Sequence, residues 1–331
     1  MAWRLKLVPD DTRIDFLKYQ RYTFGFSAFL VVASVLILFI NGLNFGIDFR
    51  GGTTIRTEAS QPVDVGAYRQ ALTPLDLGDV AVTEVFDPGF RADQNVAQIR
   101  IQAQDDTEAM SPALINEALL ALQEHDPSLR FAQVESVGPK VSGELVWTAV
   151  LAVMASLAAM SIYIWLRFEW QYAIGAFVSL AHDVIVTLGV FSLFQIRFDL
   201  TTIAALLTIL GYSINDTVVV FDRLRENLIK FKSRTLYDLI NLSVNETLSR
   251  TVMTSGTTLL ALIALLVLGG DVIRGFVFAI TFGIFIGTYS SIYVAKNFVY
   301  WIGINRDTPK LSEGGEKKKT RSGETPFSEM P

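Results

Sequence analysis

Cysteine is absent from the 331-residue chain. No disulfide can brace it, and no thiol can serve as nucleophile or metal ligand. Histidine is almost absent too, with only two residues, His125 and His182. His125 sits in "EHDPS", a turn-like stretch, and reads as a solvated turn residue. There is no phosphate-cradling glycine loop, no metal-ligand cluster and no nucleophile constellation. Neither a cofactor nor a metal is expected, and no residue is assigned a catalytic role, so the chain is not expected to be an enzyme. Charge is also scarce, at 18 % of residues against 51 % hydrophobic.

What is present is long apolar runs. Six stand out: Phe24–Ile40, Leu145–Leu166, Tyr172–Phe194, Leu200–Phe221, Val252–Leu268 and Gly275–Ile302. Each is near or above the roughly 18 residues that cross a bilayer core. The first follows basic residues, as a signal peptide would. No A-x-A-type cleavage site follows it, so it is expected to remain as the first span. The expected fold is a polytopic α-helical membrane protein with six transmembrane helices. Residues 1–21 form an N-terminal arm, 22–41 the first span and 42–143 an exported domain. Residues 144–303 hold spans two to six, with an inner connection at 222–250, and 304–331 form a tail.

Lysine and arginine set the orientation. The arm carries Arg4, Lys6, Arg13, Lys18 and Arg21, and the connection after the fourth span carries Arg223, Arg225, Lys230, Lys232 and Arg234. The tail adds Lys310, Lys317–Lys319 and Arg321. With six spans these all fall on one side, which is read as cytoplasmic, so both termini are cytoplasmic. The tail is rich in Lys, Glu, Gly, Ser and Pro and is expected to be disordered. Its basic run could touch anionic lipid or RNA, but a plain solvated tail suffices, and no nucleic-acid partner is expected. The net charge of −5 averages two compartments and says little about partners.

The exported segment has the pattern of a small α+β domain. Thr53–Glu58, Val80–Phe86, Val96–Gln102 and Leu129–Val137 read as strands. In Val96–Gln102, Ala97, Ile99 and Ile101 share one face, and Gln98, Arg100 and Gln102 the other. Val63–Leu72 is helical, and Ser111-Pro112 opens a second helix to about Glu124. The order is βαββαβ, so a ferredoxin-like periplasmic domain is expected between the first and second spans.

Three polar features need explanation. The junction "LNFGIDFRGGT" holds Gly46, Asp48, Gly51 and Gly52 just outside the first span. Spacing alone favours a tight helix-to-strand connection over a contact strand against the membrane part. Asp216 interrupts the fourth run, roughly 9 Å of helix rise from Asp222 at the inner boundary. An ionised aspartate at a helix centre costs about 3 kcal/mol on insertion scales. Such a residue faces the bundle and finds a partner. Arg250, at the inner start of the fifth span, has the reach. Ser213 and Asn215 lie beside Asp216 in sequence, and Ser255, Gly256, Thr257 and Thr258 supply small residues and hydroxyls for close packing. Burial favours the neutral acid and a cation the charged one, so the pair is either a proton relay or a static lock. In the third span, His182 and Asp183 read as a structural network facing the bundle, with a second element of a proton path as the alternative. Asp183 with Asp216 also raises an intramembrane aspartyl protease. Against it stand their different depths and the motif G-Y-S-I-N-D, which lacks the short G-x-G-D pattern.

Lesser features have simpler readings. Asp222, Arg223, Arg225 and Glu226 form a solvated cluster at the inner boundary. Thr235–Asn245 reads as a short surface helix with a capping start at Thr235 and Asp238. Gly283 and Gly287 form a G-x-x-x-G pair for close helix packing.

The stretches "LNFGIDFRGGT", "GYSINDTVVVFDRLREN" and "ETLSRTVMTSGTT" together resemble the SecF family, the smaller-subunit side of the bacterial SecD–SecF export complex. The resemblance runs from the first span to the end of the sixth. It implies a SecD partner, association with the SecYEG channel and contact with YajC and YidC. It also implies use of the proton gradient in the inner membrane to help draw preproteins outward. It maps the family's transmembrane aspartate and arginine onto Asp216 and Arg250, with protons as the transported species. It further implies kinship with resistance–nodulation–division transporters, of which half a small-molecule or lipid exporter is the competing reading. One six-span half with one small domain speaks against a complete exporter.

Overall fold

The computed structural model describes residues 9, 12–91, 93–103 and 110–304. The expectation for the tail falls outside these, apart from Ile304. Six helical stretches are long and apolar enough to cross a membrane. They are α1 (Gln20–Asn41), α5 (Pro139–Arg167), α6 (Trp170–Leu193), α7 (Leu200–Lys230), α8 (Leu236–Leu268) and a composite sixth span. That span comprises α9 (Asp271–Ser290), a π turn at Ser291–Ala295 and α10 (Lys296–Ile302). α6 is the most enclosed, with 61 % of its apolar stretch buried, against 11 % for α1, α5 and α8. α6, α7 and the sixth span therefore form the centre, and the other three present apolar faces outward.

Between α1 and α5 lie β1 (Asn44–Phe45), a single turn α2 (Ile47–Arg50), β2 (Gly52–Ala59), α3 (Val65–Leu72), β3 (Val80–Val85), β4 (Asn95–Gln102), α4 (Pro112–His125) and β5 (Arg130–Val137). From β2 onward the order is strand, helix, strand, strand, helix, strand. The sheet is antiparallel throughout, in the order β3-β4-β2-β5. Alternation does the sorting. Ile55, Ala97, Ile99 and Ile101 point inward with Val82, and pack on Tyr68 and Leu72 of α3 and Ala118 and Leu122 of α4. Thr54, Arg56, Gln98 and Arg100 line the other side of the sheet, over a cavity of about 250 Å3. Asp64 caps α3 by accepting from Ala67 N at 2.9 Å, and Ser111 caps α4 by accepting from Leu114 N at 3.3 Å.

Two features differ from the sequence expectation. The junction is more than a tight connection. β1 pairs in parallel with β6 (Arg197–Phe198), in the link between α6 and α7. Gly46 N donates to Phe198 O at 2.8 Å, and Leu200 N donates to Asp48 Oδ2 at 2.9 Å. Phe45, Phe49, Phe191 and Phe198 close into an aromatic cluster beneath. The contact-strand alternative is the one observed, because two free strand edges meet there and satisfy each other. A second tether joins Phe86 and Asp271 through two hydrogen bonds.

The surface helix expected over Thr235–Asn245 is the first part of α8, continuous with the fifth span. The connection 222–250 shrinks to Phe231–Thr235, because α7 runs on to Lys230. The two extensions hold each other: Leu224 packs with Leu239 and Ile240, and Asn227 donates to Ser243 Oγ at 3.0 Å and to Glu246 at 2.7 Å. Thr235 does cap α8, accepting from Asp238 N at 3.1 Å. Residues 12–18 lie across this hairpin, where Asn241, Asn245 and Tyr237 bond to the backbone and to Asp15.

Candidate functional site

Asp199 starts α7 with a capping box, its Oδ1 accepting from Thr202 N and its own N donating to Thr202 Oγ1. From there the helix carries Ser213 and Asp216 inward, while Asn215 faces outward and is exposed. Asp216 is 3 % exposed. Its Oδ2 accepts from Ser255 Oγ of α8 at 3.3 Å, and Ser255 Oγ accepts from Thr288 Oγ1 of α9 at 2.8 Å. Three helices thus meet at one carboxylate through a ladder of hydroxyls.

Arg250 forms no ion pair with Asp216. It is exposed beside a cavity of about 500 Å3 on the side away from the sheet domain. Arg223, Glu226 and Glu246 also line this cavity and pair among themselves. The guanidinium stays close enough to act on Asp216 through its field. Ser213 belongs elsewhere than beside Asp216. Its hydroxyl donates to Asp183 Oδ2 at 2.6 Å, and Ser290 of α9 donates to the same oxygen at 2.9 Å. Ser179 donates to Ser290 Oγ at 2.9 Å. His182 Nδ1 lies 3.0 Å from Asp183 Oδ1, and Asp183 is completely buried. His182 and Asp183 therefore do form a polar network facing the bundle.

Ser213 stands three residues, roughly 4.5 Å of helix rise, before Asp216. The two acids are therefore about one helical turn apart in depth. They accept from separate hydroxyls and make no hydrogen bond to each other.

Gly283 and Gly287 face α7. A Cβ at Gly283 would lie 2.3 Å from Ile209 Cδ1, and one at Gly287 3.1 Å from Ser213 Oγ and 3.5 Å from Asp183 Oδ2. The G-x-x-x-G pair is thus an internal packing face that brings α9 against both polar sites. Of the junction residues, Gly51 and Gly52 make the turn into β2 with φ of +76° and +132°. Gly46 and Asp48 hold the link before α7.

A protein-family model for the SecD/SecF protein export membrane protein, C-terminal region, matches residues 118–305, and one for the SecD/SecF GG motif matches residues 36–63. The chain is 64 % identical to the protein translocase subunit SecF of Cereibacter sphaeroides over 98 % of both. The chain belongs to the SecD/SecF protein-export family. It is 39 % identical to the protein translocase subunit SecF of Vibrio alginolyticus over 98 % of its length. Among solved structures it resembles SecDF of Thermus thermophilus, a translocon-associated membrane protein, with a TM-score of 0.77 and 37 % identity over 89 % of this chain. It spans 39 % of that longer SecDF chain. Membership makes this a multi-pass membrane protein of Sec-pathway protein export. The GG-motif match takes in the Gly51–Gly52 turn and the β1 tie. The longer match takes in the helices that carry Asp183, Asp216 and Arg250.

One buried cation was not singled out from the sequence. Lys296 lies in the sixth run and is 1 % exposed. A lysine inside an apolar run is the signal that could have found it.

Proposed function

We propose that the chain works with SecD in the bacterial inner membrane, drawing on the proton motive force to promote preprotein export through SecYEG, with YajC and YidC as further contacts. Both termini are cytoplasmic and the sheet domain is periplasmic. The orientation is supported by Arg167, Arg223, Arg225, Lys230, Lys232 and Arg234, which gather at the helix ends away from the sheet domain.

Asp216 is the proton carrier in this reading, and one observation carries it. A carboxylate buried between three helices is contacted by a hydroxyl ladder and has no ion-pair partner among the described residues. A static lock would show Asp216 and Arg250 in contact. The separated pair instead leaves the acid free to gain or lose a proton while Arg250, at the edge of the cavity, tunes it by its field. One charge crossing 100 mV is worth about 2.3 kcal/mol, enough to drive such a change. The chain has no enzymatic role in this reading, since a protease would need both aspartates on one shared site.

The test is gradient-dependent export stimulation in vesicles, measured with the amount of assembled complex. Asp216→Asn should assemble and lose the stimulation, and Arg250→Gln should impair it. A double neutral variant that assembles normally and responds fully would exclude Asp216 as carrier.

A further inference from the structure

The carrier reading leaves a second buried charge unused. Lys296 follows the π turn directly, and its Nζ has no hydrogen-bond partner among the described residues. Its ammonium lies 4.9 Å from the Phe16 ring centroid and 5.4 Å from that of Tyr293. Among the described residues, Asp15 is the acid within electrostatic reach. Lysine is almost never fully buried without a partner, and an ionisable group inside a membrane bundle marks function.

Its surroundings share the same deficit. Asn297 is fully buried with neither Oδ1 nor Nδ2 bonded. Gln171 Oε1 and Tyr172 OH, near the start of α6, are likewise buried and unbonded. Buried polar atoms in folded proteins are satisfied by protein or by ordered water. Four such side chains near the same end of α6 and α10 mark a hydrated layer at the end of the bundle away from the sheet domain.

This layer is joined to the Asp183 network by contact. The Tyr293 ring lies 5.1 Å from that of Tyr289, and Tyr289 lies 6.3 Å from the His182 ring. Tyr289 OH is fixed, donating to Thr23 O at 2.9 Å and accepting from Ser27 at 3.1 Å. His182 bonds Asp183 through Nδ1, and its Nε2 is buried without a partner. A column of His182, Tyr289, Tyr293 and Lys296 therefore runs from one polar layer to the other. Ser290 and Lys296 are six residues apart, roughly 9 Å of rise, so direct transfer is too long and water must bridge.

We propose that Lys296 is a second proton-carrying group, which passes protons from the His182–Asp183 network to water at the face opposite the sheet domain. The His182–Asp183 network gives a proton to the bridging water beside Tyr293 as that water gives one to the neutral amine; the ammonium so formed then releases a proton to water at the opposite face. The amine is restored, and one proton has moved with no other bond made or broken. The proposal rests on the proton-driven reading above.

A purely structural lysine would instead clamp Phe16 by its charge. Substitution separates the two. Lys296→Arg keeps the charge and the contact with aromatic faces but cannot release a proton. Lys296→Met keeps length alone, and Phe16→Leu removes the clamp but keeps the amine. These are compared with Asp216→Asn in vesicles carrying the assembled complex, by gradient-driven stimulation and by amount assembled. Lys296→Met and Lys296→Arg should assemble and lose the stimulation, and Phe16→Leu should keep it.

A full response from Lys296→Arg overturns the proposal. So does failure of both Lys296 variants to assemble, which assigns the residue to folding, and so does a loss in Phe16→Leu equal to that in Lys296→Met. If Lys296 variants respond fully while Asp216→Asn does not, only the Lys296 step falls. If Asp216→Asn responds fully and the Lys296 variants do not, it is the Asp216 assignment that falls.

Discussion

Gly52→Ala tests the local argument for the GG turn. Gly52 has φ +132°, a region costly for any side chain. A Cβ there would lie 2.3 Å from the Ile101 carbonyl oxygen and 3.1 Å from Ala103 N and Gln102 Cα. All three are backbone atoms of or beside β4, so no rotamer change relieves the contact. Backbone strain costs about 1–3 kcal/mol, and overpacking adds about 1–3 kcal/mol. The sum, about 2–6 kcal/mol, is a large part of the about 5–15 kcal/mol that holds a domain together. For a domain of this size it should lower the unfolding midpoint by about 10 °C or more. Gly66→Ala is the control, in helix α3, where the new methyl meets only Asp64 Oδ1 at 3.3 Å. That change should be neutral or stabilise by up to about 1 kcal/mol. The assay is protease resistance of the sheet domain against temperature in the purified full chain. An unchanged midpoint for Gly52→Ala would refute the steric reasoning, and equal loss in both variants would show that the assay reports something other than this turn.

Further outcomes follow from other elements. Single cysteines placed at exposed Gln133 and Ser233 should label oppositely with a membrane-impermeant thiol reagent in intact cells, and equal labelling would overturn the six-span topology. Residues 52–137 expressed alone should fold by circular dichroism and amide exchange, since their apolar faces close on each other; a persistently unfolded segment would show dependence on the β1 and Asp271 tethers. Tyr237 OH donates to Asp15 at 2.6 Å and, helped by Lys18 N and Asn241, holds that carboxyl below its ordinary range. A depressed folded value stabilises the contact above the unfolded pKa and loses it as pH falls through the folded one. Amide protection over residues 12–18, corrected for intrinsic rate, should therefore hold at pH 5 and decline below about pH 4; Tyr237→Phe should weaken it at pH 5, and protection indifferent to both would exclude this role for Asp15.

The sequence was most legible where period and chemistry agree. The strands of the sheet domain showed by alternation, α4 by Ser111-Pro112, and the spans by length. Asp216 and Asp183 showed by cost alone, since a carboxylate in an apolar run has to be explained. What could not be read was partner choice. Ser213 lies on nearly the same face of α7 as Asp216, but about 60° round and about 4.5 Å further along, where its partner is Asp183 of α6 and not Ser255 of α8. Asn215, one residue from Asp216, is turned about 100° from it and points outward. The reach of Arg250 made an ion pair plausible, yet exposure beside a polar cavity competes with a desolvated contact. The β1–β6 pairing joins residues about 150 apart, and two-residue strands leave no periodic trace. The helix at 235–245 was legible from the Thr235 cap and the spacing of Leu239 and Ile240, but the surface that this apolar stripe covers is α7, and the helix runs on into the fifth span.

The two acids are best understood through the helices they share. α7 gives Ser213 to one site and Asp216 to the other. The sixth span gives Ser290 to one and Thr288 to the other, two residues apart. Gly283 and Gly287 let the Ile209 and Ser213 side chains of α7 sit directly against the α9 backbone, so the pair behaves as one packed unit. If Asp216 carries protons as proposed, protonation removes the charge that the Ser255–Thr288 ladder supports. The Thr288 hydroxyl can then turn toward a carbonyl already within reach, Ile284 O at 2.8 Å. At the Asp183 site, Ser290 likewise has a second acceptor, Gly287 O at 3.1 Å. Hydroxyls with two acceptors in reach are a bistable element of the kind through which one site biases another. On the other side of α7, the β6 link meets β1 and the Asp48 carboxylate, and Asp271 at the head of α9 bonds Phe86. α7 and α9, which both line the two carboxylate sites, thus also have their near ends hydrogen-bonded to the sheet domain and its junction. A shift between them has a direct mechanical route to that domain, through backbone hydrogen bonds rather than a flexible linker.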